Sequence, residues 1–103
     1  MIVAVSIAPL GGDSTTDDGG VSQPVAQAID VIRSSGLVNE TNAMFTNIEG
    51  EWDEVMGVIK QAIEAVGEHA PRVSFVIKGD YRPGHDGQLH AKMERVEAQL
   101  RQD

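Results

Sequence analysis

Apolar and polar positions alternate along the first ten residues. Val3, Val5 and Ile7 fall on one side at period two, with Ala4, Ser6 and Ala8 on the other. Residues 1–10 therefore predict a buried strand with one bulky and one small face, whose regular pairing Pro9 should end. The period then changes. Val25, Ala28, Ile29 and Ile32 follow the spacing of one helical stripe, with Ser22 a good N-cap and Pro24 early in the helix. Ser34, Ser35 and Gly36 stop it. Residues 37–50 are too polar and β-branched for a helix and predict two short strands joined by a turn near Asn42. Met44, Thr46 and Ile48 share one face there, and Phe45, Asn47 and Glu49 the other. Helical spacing returns over residues 51–69, with Trp52, Val55, Met56, Ile59, Ile63 and Val66 as the buried stripe and Pro71 past the end. Residues 72–82 alternate again, setting Val73, Phe75 and Ile77 against Ser74, Val76, Lys78 and Asp80. Leu89, Met93, Val96 and Leu100 predict a terminal helix.

The order β-α-β-β-α-β-α predicts an α+β, ferredoxin-like βαββαβ sandwich with an added C-terminal helix, one domain over residues 1–103. Both main helices should cover the bulky face of a four-stranded antiparallel sheet. The other face, with Ala4, Ser6, Ala8, Ser74 and Val76, has too little charge for a solvated sheet. Contact with a second subunit is one explanation. The other is a terminal helix folded beneath the sheet.

Composition narrows the function. The chain carries 16 acids against 8 Lys and Arg, a formal charge of −8, which disfavours nucleic acid and anionic membranes as partners. It has no cysteine, so disulfides, thiolate nucleophiles and Cys-based zinc sites are out of reach, in keeping with a cytoplasmic protein. The N-terminal stretch lacks the basic start of a signal peptide. Four aromatics, Phe45, Trp52, Phe75 and Tyr81, leave little for base stacking, and Trp52 and Phe75 are expected in the core.

Candidate chemistry is sparse. Lys78, Asp80 and Arg82 alternate at the end of the last strand, either to hold a polar ligand or as a self-satisfied charge cluster. Ser6 and Thr46 place hydroxyls in otherwise apolar strands, as polar groups of a small-molecule pocket or as bonds to a neighbouring strand. Glu51, Asp53 and Glu54 suit a helix start, while Glu49 remains a candidate carboxylate for an amino-bearing ligand. The Gly- and Asp-rich residues 11–21 match no phosphate loop, dinucleotide fingerprint or calcium loop, and read as an acidic lid. His85, Asp86 and His90, with His69 distant, read as surface residues rather than metal ligands. No catalytic acid–base pair or nucleophile is recognisable.

Three stretches carry a family resemblance: Ile2-Val3-Ala4-Val5-Ser6-Ile7-Ala8-Pro9-Leu10-Gly11, the run from Met44 to Met56 with its Thr46-Asn47-Ile48-Glu49-Gly50-Glu51, and Lys78-Gly79-Asp80-Tyr81-Arg82. In order and spacing the chain resembles the thiamine-binding protein family. The resemblance implies a non-enzymatic, cytoplasmic binder of thiamine (vitamin B1) or its hydroxymethylpyrimidine half, self-associated as a dimer or tetramer through the sheet, with no cofactor. By motif position it implies a ligand site of Ser6, Met44, Thr46, Glu49, Lys78 and Asp80. An aminopyrimidine offers a donor amino group and acceptor ring nitrogens that hydroxyls and carboxylates can read. The acidic balance suits a cationic thiazolium better than a free phosphate. Ala43 and Phe45 stand where the family more often has proline and glycine, and Asn39 where it more often has tyrosine. Phe45 either narrows the pocket or offers a stacking ring. Two alternatives stand beside this reading: an oligomeric interaction module without a ligand, and a small cofactor-free enzyme.

Overall fold

A computed structural model of the chain describes residues 1–11, 22–84 and 87–100. The acidic lid expected over residues 11–21 lies almost entirely outside the described residues, as do His85 and Asp86. The elements are β1 (Ile2–Leu10), α1 (Ser22–Arg33), β2 (Val38–Thr41), β3 (Thr46–Glu49), α2 (Trp52–Gly67), β4 (Arg72–Asp80) and α3 (Gln88–Leu100). The strands form one antiparallel sheet in the order β2-β3-β1-β4. This is the expected ferredoxin-like arrangement with its additional helix.

Register explains the core. Val3 faces Ile48 and Val5 faces both Thr46 and Ile77, so the alternating apolar positions of three strands fall on one side. There α1 contributes Ala28 and Ile32, and α2 contributes Val55, Ile59, Ala62 and Val66. Each fully buried Val or Ile stabilises the fold by about 1.5–3 kcal/mol relative to exposure. Two glycines shape the joints. Gly36 ends α1 at φ +83°, a conformation costly for a residue with a Cβ. A Cβ on Gly50 would come within 3.2 Å of Val55 Cγ2, so α2 starts close under the strand.

Pro9 does not end the pairing as expected: it lies opposite Val73, and the strand runs on to Leu10 opposite Arg72. Pairing of β1 with β3 stops at Val5, so β1 is locally an edge strand at Pro9, where proline is tolerated. Trp52 is likewise outside the core, 55% exposed. It occupies the first position of α2 and meets Tyr81 edge-on at a centroid distance of 6.1 Å. Phe75, 49% exposed, does lie on the helix side, but β4 is the outermost strand and α2 covers it incompletely. Glu51 stands at the N-cap of α2 without a side-chain capping bond, whereas Asp53 and Glu54 occupy the first turn as anticipated.

The terminal helix packs against β3, with Leu89 buried. Its far end keeps Val96 and Leu100 exposed. The molecule is accordingly elongated, with a radius of gyration of 15.5 Å, against about 13 Å for a compact chain of this size.

Candidate functional site

The hairpin β2–β3 is locked by its own turn. Thr41 and Thr46 pair across the strands, leaving Asn42–Ala43–Met44–Phe45 as the connection. The Asn42 side-chain Oδ1 accepts from the backbone N–H groups of Met44 and Phe45, both at 2.9 Å, and the Asn42 N–H donates to the Phe45 carbonyl. This local bonding is what asparagine is suited to in turns. It holds Met44 out at the tip, 74% exposed, and turns Phe45 partly inward.

Between this hairpin, the middle of β1 and the inner face of α1 lies a cavity of about 170 Å³. Val25, Ala28, Ile29 and Ile32 of α1 form one wall, Val5 and Ile7 the floor, and residues 41–46 the other wall. Thr41, Asn42 and Thr46 give it polar side chains. Thr46 is only 5% exposed, and its hydroxyl lies 3.2 Å from that of Thr41. A buried hydroxyl needs such a partner. The two hydroxyls retain further capacity to give and accept bonds, since each has one proton and two lone pairs. Ser6 borders the cavity on β1, but it lies opposite Val76 and shares the parity of Ala4, so its side chain points to the sheet face turned away from the helices.

The six residues singled out from the sequence divide into two groups. Ser6, Met44 and Thr46 line the cavity together. Glu49, Lys78 and Asp80 do not reach it within one chain. Ile2 lies opposite both Glu49 and Asp80, and Ala4 lies opposite Lys78, which puts all three charged residues on the sheet face turned away from the core. The reason is parity: Thr46 and Glu49 are three apart in one strand, so they point to opposite faces. Glu49 is nevertheless buried, 8% exposed, whereas Lys78 and Asp80 are exposed.

Sequence reasoning missed Thr41 and the α1 wall. Thr41 carried a usable signal, because a four-residue turn centred after Asn42 brings it against Thr46. The apolar stripe of α1 gave no such signal, since core and cavity lining share the same spacing. No group of three or more His, Asp or Glu suited to a metal occurs among the described residues.

Comparison with known proteins places this geometry in context. A family model described as thiamine-binding protein matches residues 3–97. A UPF0045 protein of Mycobacterium bovis is 50% identical over 101 residues, covering 97% of this chain and 94% of its own. The crystal structure of a hypothetical protein from Methanocaldococcus jannaschii superposes with a TM-score of 0.78 at 32% identity, covering 93% of this chain and 94% of the other. A domain of unknown function from Bacillus cereus gives a TM-score of 0.69 at 33% identity, over 81% of this chain and 76% of that one.

Proposed function

The chain belongs to the thiamine-binding protein family, and from that premise we propose that it is a non-enzymatic small-molecule binder whose cavity takes the hydroxymethylpyrimidine ring, free or as half of thiamine. The observation that carries this reading is the size and lining of the cavity. At about 170 Å³ it is close to an engineered apolar cavity that takes up benzene, which measures about 150 Å³. One six-membered ring fits such a space, and the thiazolium half of thiamine would extend past Met44 towards solvent. The walls are apolar, as ligand pockets require, and the hydroxyls of Thr41 and Thr46 with the Asn42 amide supply the few polar groups that orient a ring. Phe45 borders the cavity as a candidate stacking surface.

The described lining holds no carboxylate, imidazole or amine. General acid–base catalysis needs such a group within hydrogen-bond reach of the substrate, which favours binding over turnover. Glu49, Lys78 and Asp80 lie outside the ring site in this reading and act at the opposite face. Self-association to a dimer or tetramer belongs to the same proposal, supported by the apolar surface that β4 leaves exposed. A cytoplasmic location is part of it too, supported by the absence of cysteine. No described helix is long and apolar enough to cross a membrane.

Titration calorimetry with thiamine and with free hydroxymethylpyrimidine, each at millimolar concentration, tests the reading. Saturable heat with both is expected; no heat with either rejects it.

A further inference from the structure

The end of the sheet away from the ring cavity carries a second, smaller hollow. Two hydrogen bonds join the start of β1 to the residue that follows β3. The Gly50 N–H donates to the Met1 carbonyl and the Met1 α-ammonium donates to the Gly50 carbonyl, both at 3.1 Å. Ile2 lies opposite Glu49 on one side and Asp80 on the other, so the chain leaving β3 and the chain leaving β4 flank the same end of β1. This brings together Trp52, the first residue of α2, and Tyr81, just past β4. Their rings stand at 88° with centroids 6.1 Å apart. They border a space of about 100 Å³ together with Glu51, Arg82 and the Pro83–Gly84 turn. Gly50 is four residues on from Thr46, about 13 Å along an extended chain, and the two linings share no residue.

The lining points to one chemistry. Half of the chain's four aromatic residues stand here, and both are exposed rather than packed in the core. Two rings at right angles offer adjoining walls to a compact alkylated ammonium, which aromatic faces attract through their quadrupole. Glu51 adds a negative charge at the same place. It occupies the N-cap position of α2 but makes no side-chain bond to the helix, so capping does not engage its carboxylate. The Arg82 guanidinium and the Met1 ammonium also belong to the lining. They disfavour a bare cation and suit a ligand that carries a carboxylate as well. Size agrees with a small head group: the space is about 100 Å³, below the roughly 150 Å³ that takes up benzene.

We propose that this corner binds a small betaine, a zwitterion whose quaternary ammonium lies against Trp52, Tyr81 and Glu51 and whose carboxylate pairs with Arg82. The chain's charge of −8 does not oppose such a ligand, which carries no net charge. The site stands apart from the ring cavity and from the reading given to it.

Trp52 is the chain's single tryptophan, so its fluorescence reports on this corner directly. Glycine betaine should give a saturable change at millimolar concentration, as two partly exposed rings and one surface ion pair allow. The anion of tert-butylacetic acid has the same shape and carboxylate, with a neutral carbon in place of the nitrogen. It should bind at least about fivefold more weakly. Arg82→Ala should weaken glycine betaine by about three- to fivefold and leave tetramethylammonium unweakened. Tyr81→Phe should keep the affinity within about twofold, whereas Tyr81→Leu should lose about fivefold or more. Tyr81 and Arg82 are both exposed, so these variants should melt as the unmodified protein does. No saturable change up to about 100 mM glycine betaine overturns the site. Equal affinity for betaine and its carbon analogue overturns the ammonium contact. Unchanged betaine affinity in Arg82→Ala overturns the carboxylate contact. Hydroxymethylpyrimidine should bind Tyr81→Leu as it binds the unmodified protein, and a parallel loss of both ligands overturns the independence of the two sites.

Discussion

On the side of the sheet that the two main helices cover, the polar groups at the cavity are hydroxyls and one amide. On the other side stand Glu49, Lys78 and Asp80. The difference follows from what burial costs. A hydroxyl can be enclosed when it has a partner, as Thr46 has in Thr41, whereas an enclosed charge costs several kcal/mol unless it is paired and hydrogen-bonded (about 3–5 kcal/mol when a partner is removed). A ring-sized space walled by α1 and floored by β1 can therefore carry neutral groups cheaply; on the opposite face Lys78 and Asp80 stay exposed, while Glu49 is buried there. In the proposed reading, one sheet separates recognition of an uncharged ring from the handling of charge.

That contrast can be broken in graded steps. The largest effect is expected from Ala28→Leu, which places a bulky side chain where the ring would sit. Affinity for hydroxymethylpyrimidine should fall by at least about 100-fold, because ring and side chain compete for one volume. The vacant space should keep the stability cost within about 1 kcal/mol, which a thermal melt beside calorimetry would show. Next is Thr46→Val, which removes the buried hydroxyl and strands that of Thr41; a loss of roughly five- to tenfold in affinity is expected. Met44→Ala trims the exposed tip and should weaken thiamine by about threefold, with a smaller effect on the free pyrimidine, which does not extend past the tip. The smallest effects belong to the outer face: Glu49→Gln and Lys78→Ala should each change affinity for the free pyrimidine by less than about twofold. A tenfold loss from either would merge the two faces into one site.

Much of this architecture was legible in the residues. Val3 and Val5, Val55 and Ile59, and the turn at Asn42 all lie where periodicity and turn chemistry put them. Trp52 and Phe75 were misplaced for one reason. Apolar character and correct phase identify the face a residue points to, but burial depends on whether the neighbouring layer extends that far. Trp52 precedes the packed part of α2, and Phe75 lies on the last strand, so each has the right phase and an incomplete cover. Pro9 was misjudged because its tolerance depends on where β3 ends. The candidate site was legible only in part: residue type picks out both the hydroxyls and the charges, and within one chain strand parity sets Thr46 towards the helices and Glu49 towards the opposite face. Register, not motif, decides which side chains of one chain share a space.

The most direct test is a crystal structure with hydroxymethylpyrimidine soaked at millimolar concentration. The account predicts ring density between α1 and the β2–β3 hairpin, with a polar atom of the ring within hydrogen-bonding distance of the Thr46 hydroxyl. Ring density beside Lys78 and Asp80, with the cavity behind Thr46 unfilled, would contradict it.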